Sequence, residues 1–216
     1  VLWLGLRRLR LPGAVSMSAR NPSTAGGWGI RDRSGFCWLA AIVFLDSAVQ
    51  DGFLVFVAFL MIEKNIPTSL AAFAVVATLA GGVIGKYACG HLSARMGVVR
   101  SLILVEVCTA VGIMGVIMLP TVAVFFLLPL VGIVLQGSST ITYGSVRQFV
   151  DEVRQSRGFA LIYSMANGAS VAGPVGFGII SDIYSVGAAV VLMAVVALLP
   201  LGMCMGLQAG LNRAGQ

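Results

Sequence analysis

Residues 36–62 read FCWLAAIVFLDSAVQDGFLVFVAFLMI, an apolar run long enough to cross a bilayer yet interrupted by Asp46, Gln50 and Asp51. A carboxylate at the centre of a spanning helix costs about 2.5–3.5 kcal/mol on insertion scales, so such residues face a protein interior or a wet cavity. The segment is therefore expected to be a cavity-lining helix in a bundle, with the other apolar runs as the remaining walls. At about 1.5 Å rise per residue, Asp46 lies roughly 15 Å from Phe36, near the middle of a ~30 Å hydrocarbon core. Gln50 shares its helix face. Asp51 is turned about 140° away, so the two acids do not enter one narrow site. Asp46 has two readings, a proton-coupling or substrate-contact group and an internal hydrogen-bonding group. Asp51 is read as structural or as lying near the outer mouth.

The composition supports this environment. Of 216 residues, 58% are hydrophobic and 10% are charged, the mean hydropathy is +0.98, and soluble domains carry about 25% charge. The expected class is an all-α integral membrane protein. Cys37, Cys89, Cys108 and Cys204 show no Cys-x-x-Cys or Cys/His spacing, so they are read as free thiols, with neither a metal site nor a cofactor implied. The net charge of +6 does not signal nucleic acid, because the basic residues sit between apolar runs, where they orient a chain in a lipid bilayer.

Six spans are expected, over about 36–62, 70–89, 102–119, 122–143, 159–180 and 186–207. Residues 1–35 read as the end of a preceding helix followed by a cytoplasmic linker, and 208–216 as a cytoplasmic tail. Gly90–Ser101 reads as a tight basic loop. Gly81 and Gly85 make a small-xxx-small packing face, and the fifth span holds Gly173, Pro174, Gly176 and Gly178, breakers that a membrane bundle tolerates; Gly173, Pro174 and Gly178 are read with Gly81 and Gly85 as helix-packing residues. The lysines and arginines divide thirteen to one between the two sides, with Lys64 alone on the outer one. Both termini are therefore expected in the cytoplasm.

The order of motifs is similar to that of a known family. Gly90-His91-Leu92-Ser93-Ala94-Arg95-Met96-Gly97-Val98-Val99-Arg100 resembles the Gly-x-Leu-x-Asp-Arg-x-Gly-Arg/Lys-Arg/Lys loop of the major facilitator superfamily. Ser170–Gly178 resembles its Gly-Pro motif, and DSAVQDGFLVFVAFLMI resembles helix 7 of bacterial members. The resemblance covers nearly the whole chain as helices 7 to 12, the C-terminal six-helix half of a twelve-helix transporter. It implies a secondary transporter of a small organic solute, working by alternating access in a bacterial inner membrane. It also implies a missing N-terminal half, or a second copy, as partner. In the loop motif the acidic position is Ala94, so the family's charge-relay role does not transfer, and Gly90, Arg95, Gly97 and Arg100 remain as loop residues.

The same resemblance places helices 7 and 10 at the cavity. Gln136, Thr140 and Tyr143 then form a polar stripe at i, i+4 and i+7, read as cavity lining or as bonding to a neighbouring helix. Asn167 is read as an interhelical hydrogen-bonding residue or a substrate contact. Glu106, about four residues into its span, is expected to snorkel to the interface or pair with a loop arginine. An intramembrane serine protease is excluded, because the single histidine, His91, lies in a loop and precedes every Gly-x-Ser candidate. A non-transporting or truncated subunit that needs a partner half stands as the alternative function.

Overall fold

The computed structural model describes Ile30 and residues 32–214. The preceding helix and linker expected over 1–35 lie almost wholly outside the described residues. Among the described residues, seven α-helices follow one another: α1 (Arg33–Glu63), α2 (Thr68–Met96), α3 (Val98–Met118), α4 (Thr121–Phe149), α5 (Gln155–Ile183), α6 (Val186–Val196) and α7 (Leu199–Ala214). A 3-10 turn, Glu152–Arg154, precedes α5. Among the described residues the only β pairing is an isolated bridge between Ile30 and Val150.

Local chemistry explains the helix ends. Asp32 caps α1 by accepting from Ser34 N at 3.0 Å, and Ser185 caps α6 by accepting from Ala188 N at 3.1 Å. Pro67 and Pro120 immediately precede α2 and α4, where a missing N–H leaves no donor unsatisfied. The break between α6 and α7 falls just before Pro200, whose ring would collide with the Val196 carbonyl, four residues back, in an unbroken helix. The two pieces form one continuous apolar stretch, Val186–Leu211.

Several boundaries differ from expectation. The basic segment Gly90–Ser101 is not a loop: α2 runs to Met96, α3 starts at Val98, and Gly97 alone turns the chain at φ 83°. Only glycine adopts that conformation at little cost. The expected tail from residue 208 is also helical, through Ala214. Among the described residues, five stretches are long and apolar enough to cross a membrane: α1, α2, α3, α4 and Val186–Leu211. The fifth expected span, α5, is 29 residues long but is diluted by Gly, Ser, Asn and Pro. It nonetheless runs parallel to α1 through the same slab, with Gly173 against Ala48 and Phe177 against Gly52.

The packing alternates direction as a bundle requires. Ser138 meets Asp46 and Leu135 meets Gln50, so α4 is antiparallel to α1. Helices α2 and α4 run parallel and touch backbone to backbone: Gly81 lies on Pro129 O, Gly85 on Ile133 O and Gly132 on Thr78 O. A Cβ at any of these three glycines would collide with a carbonyl, which gives the small-residue face of α2 its packing role. Gly173 is similar, its absent Cβ lying 2.6 Å from Ala48 O, and Pro174 follows it inside α5. At Gly178, by contrast, open space lies where its Cβ would be, and no neighbour among the described residues requires a glycine there.

The apolar core is split in two. One cluster holds Phe53, Leu60, Ile113, Leu128, Leu135 and Met193. The other holds Leu39, Val43, Val105, Ile141, Phe149 and Leu207. On α1, α3 and α4 the break between them falls part-way along the helix. It lies between Val43 and Val49 on α1, between Val105 and Ala110 on α3, and between Leu135 and Ile141 on α4. The residues in that break on these three helices include Asp46, Glu106, Thr109 and Ser138, so the bundle has a polar layer across its middle.

Candidate functional site

Asp46 sits in the polar layer at 5% exposure, and its partner is Ser138 of α4, itself 1% exposed. The Ser138 hydroxyl oxygen is 2.8 Å from Oδ1 and 2.8 Å from Oδ2 of Asp46, and 3.0 Å from Leu135 O. Leu135 O also accepts from Gln50 Nε2 at 2.8 Å. Asp46, Gln50, Leu135 and Ser138 thus form one hydrogen-bonded unit that ties α1 to α4. A serine hydroxyl has one proton to give and can accept in return. With Asp46 ionised, Ser138 donates to the carboxylate. With Asp46 protonated, the acid donates to Ser138 Oγ, and Ser138 turns its own proton to Leu135 O.

The other sequence candidates are dispersed. Asp51 is half-buried on α1, five residues on from Asp46 and so about 140° around the helix from it. Gln136 packs over Gly82 of α2, where an added Cβ would lie 2.6 Å from its Cγ, and Thr140 packs beside Gly90. The stripe of Gln136, Thr140 and Tyr143 therefore begins against α2 and ends in an open cavity. Tyr143, Ser156, Phe159, Ala160 and Tyr163 line that cavity, of about 490 Å³, between α4 and α5. Asn167 is exposed on the outer face of α5, and its amide donates to Tyr163 O at 2.7 Å on its own helix. Arg95, Gly97 and Arg100 are exposed around the α2–α3 turn, with Gly90 half-buried before it.

Ser138 is a site residue that periodicity did not single out. It belongs to a second stripe, Ser138, Thr142 and Ser145, with the same i, i+4, i+7 spacing as Gln136, Thr140 and Tyr143, and all three are buried. Two polar stripes on one helix have no ranking in sequence; contact with Asp46 supplies it. Glu106 is the second difference. It does not reach the interface but is 1% exposed, with Oε1 lacking any hydrogen-bond partner. Depth along the span suggested snorkelling, yet the buried face is the one carrying Leu102, Val105, Thr109 and Ile113. Since the opposite face is also apolar, hydrophobic period could not choose between them.

At the α1–α2 turn, the Lys64 ammonium donates to Val116 O at 2.8 Å, Ile117 O at 3.1 Å and Leu119 O at 3.0 Å. These carbonyls close α3, where the helix dipole favours a cation. Burial pulls the Lys64 pKa below its ordinary value.

A multi-pass helical bundle with lipid-facing apolar surfaces and one hydrogen-bonded acid in its interior has the build of a membrane transporter. A sequence profile of the Major Facilitator Superfamily matches residues 37–206, and the chain belongs to that family. A comparison with curated protein sequences finds no significant match.

Proposed function

We propose that this six-rod bundle is one half of a secondary active transporter that moves a small organic solute by alternating access and exchanges a proton at Asp46. The observation that carries the reading is the Ser138 hydroxyl equidistant from both Asp46 oxygens, with Leu135 O within reach as a second acceptor. That geometry serves the charged and the neutral acid without a change of neighbours, which is what a reversible proton carrier needs. Gln50, Asp51, Gln136, Thr140 and Tyr143 are the accompanying solute or coupling candidates, and the aromatic cavity beside Tyr143 offers an apolar wall to an organic molecule. Asn167 belongs with them only if a partner half covers the outer face of α5.

The proposed setting is a bacterial inner membrane with the ends of the chain in the cytoplasm, supported by Lys64 standing alone among the cations at the outer end. The second half of the transport path comes from six further helices or from another copy of this bundle. Chemistry of an enzyme has no place in this reading.

The test is solute-driven proton flux in proteoliposomes carrying the transporter that contains this half, screened against a panel of organic solutes. Asp46→Asn is expected to leave solute binding measurable and to abolish coupled proton movement. Coupling unaltered at every pH overturns the assignment. A chain that binds no solute with any partner half favours the non-transporting subunit instead.

A further inference from the structure

Glu106 is a buried acid that the unit around Asp46 does not use. Three polar groups of α3, Ser101 Oγ, Glu106 Oε1 and Thr109 Oγ1, are buried without a hydrogen-bond partner. In α-helical geometry they fall within an arc of about 140° and span about 12 Å along the axis. Buried polar groups are nearly always paired, so three orphans in one column call for an explanation. Their helix places them usefully. Gly210 of α7 abuts Gly35 of α1, which sets a common level near the cytoplasmic end. Asp46 is eleven residues, or about 16 Å, above that level, and Cys204 is six residues, or about 9 Å, above it. Glu106 directly follows Val105 of the apolar cluster that also holds Phe36, Phe149 and Cys204, whereas Asp46 stands three residues beyond Val43 of that cluster, so Glu106 sits at the cytoplasmic side of the polar layer.

We infer that Glu106 is a second exchangeable proton site, set between Asp46 and the cytoplasmic face, with Thr109 and Ser101 as hydroxyl steps on either side of it. The inference rests on proton exchange at Asp46. In the transfer, the Asp46 acid loses its proton and the Glu106 carboxylate gains it, so the pair keeps one negative charge; Glu106 then releases the proton toward Ser101 and the cytoplasm. Among the described residues no lysine or arginine is buried, and an unpaired carboxylate in such an interior is costly. Neutralisation by a proton answers that cost. The titratable groups within electrostatic reach of Glu106 are Asp46 of α1 and Cys204 of α7, while Cys89 of α2 and Tyr143 of α4 belong to the apolar cluster beside it. Helix α6 contributes none.

The test is infrared spectroscopy of the purified chain in lipid nanodiscs, titrated with pH, reading the carbonyl stretch of protonated carboxyl groups. Wild type is expected to show two buried carboxyl bands that fade as pH rises, with one lost in Glu106→Gln and the other in Asp46→Asn. If Glu106→Gln does not assemble, Glu106→Asp is expected to keep its band at a displaced frequency. A Glu106 band that persists at every pH marks a permanently neutral packing group and overturns the inference, as does a spectrum unchanged by either Glu106 substitution. Failure of the Asp46 reading shows separately, as an unchanged band in Asp46→Asn.

Discussion

Ser138 and Asp46 are 92 residues apart in sequence, yet the serine hydroxyl lies 2.8 Å from each oxygen of the aspartate carboxyl. The contact joins α4 to α1 at the level where the two apolar clusters part. It converts an acid that would be costly in lipid into one with a fixed partner and two compatible protonation states.

Removing the hydroxyl leaves a buried carboxyl short of its partner. Ser138→Ala is expected to destabilise the bundle by about 1–3 kcal/mol. Combined with Asp46→Asn, it costs less than the sum of the single changes, because both remove the same bond. Thermal unfolding of the four chains in one detergent measures this; strict additivity means that the pair does not interact.

Glycine substitutions separate close helix contact from open surface. Gly85→Val drives a side chain into Ile133 O and is expected to cost about 1–3 kcal/mol or more. Gly178→Ala meets nothing and is expected to be neutral, or stabilising by up to about 1 kcal/mol. Folded yield and melting temperature distinguish the two, and equal losses contradict the packing described.

Lys64 bonds three carbonyls at the end of α3. Lys64→Met is expected to destabilise by about 1–2 kcal/mol, the scale of a charged helix cap. The pH dependence has a definite sign. Because burial lowers this pKa from 10.5, the folded chain binds fewer protons than the unfolded one just below that pH, and stability rises with pH through the window. The variant is expected to lack that rise in alkaline melts.

Orientation is testable with cysteines. Asn65 lies in the turn after α1 and Glu152 in the turn before α5, both exposed at opposite ends of the bundle. In a chain with Cys37 and Cys108 replaced by serine, Asn65→Cys is expected to react with an impermeant maleimide in intact cells, and Glu152→Cys only after permeabilisation. The opposite pattern reverses the topology.

Composition and hydropathy were enough for the lipid environment and the all-helical class, because burial in a bilayer demands long apolar runs whose backbone bonds close within each segment. The small-residue face of Gly81 and Gly85 was also legible, since small residues four apart let a neighbouring membrane helix approach closely. Sequence likewise marked Asp46 as an acid that cannot face lipid. What it could not supply was direction around each helix. Glu106 and the pair of stripes on α4 stand on segments apolar or polar on several faces, so no period distinguishes inward from outward, and helices α1, α3 and α4 had to be brought together before Ser138 and Glu106 could be set beside the polar layer. Helix ends such as Met96 and Ala214 were undetermined for the same reason: in a membrane protein they are decided by neighbouring helices and single turn residues, here Gly97, and not by where the apolar run stops.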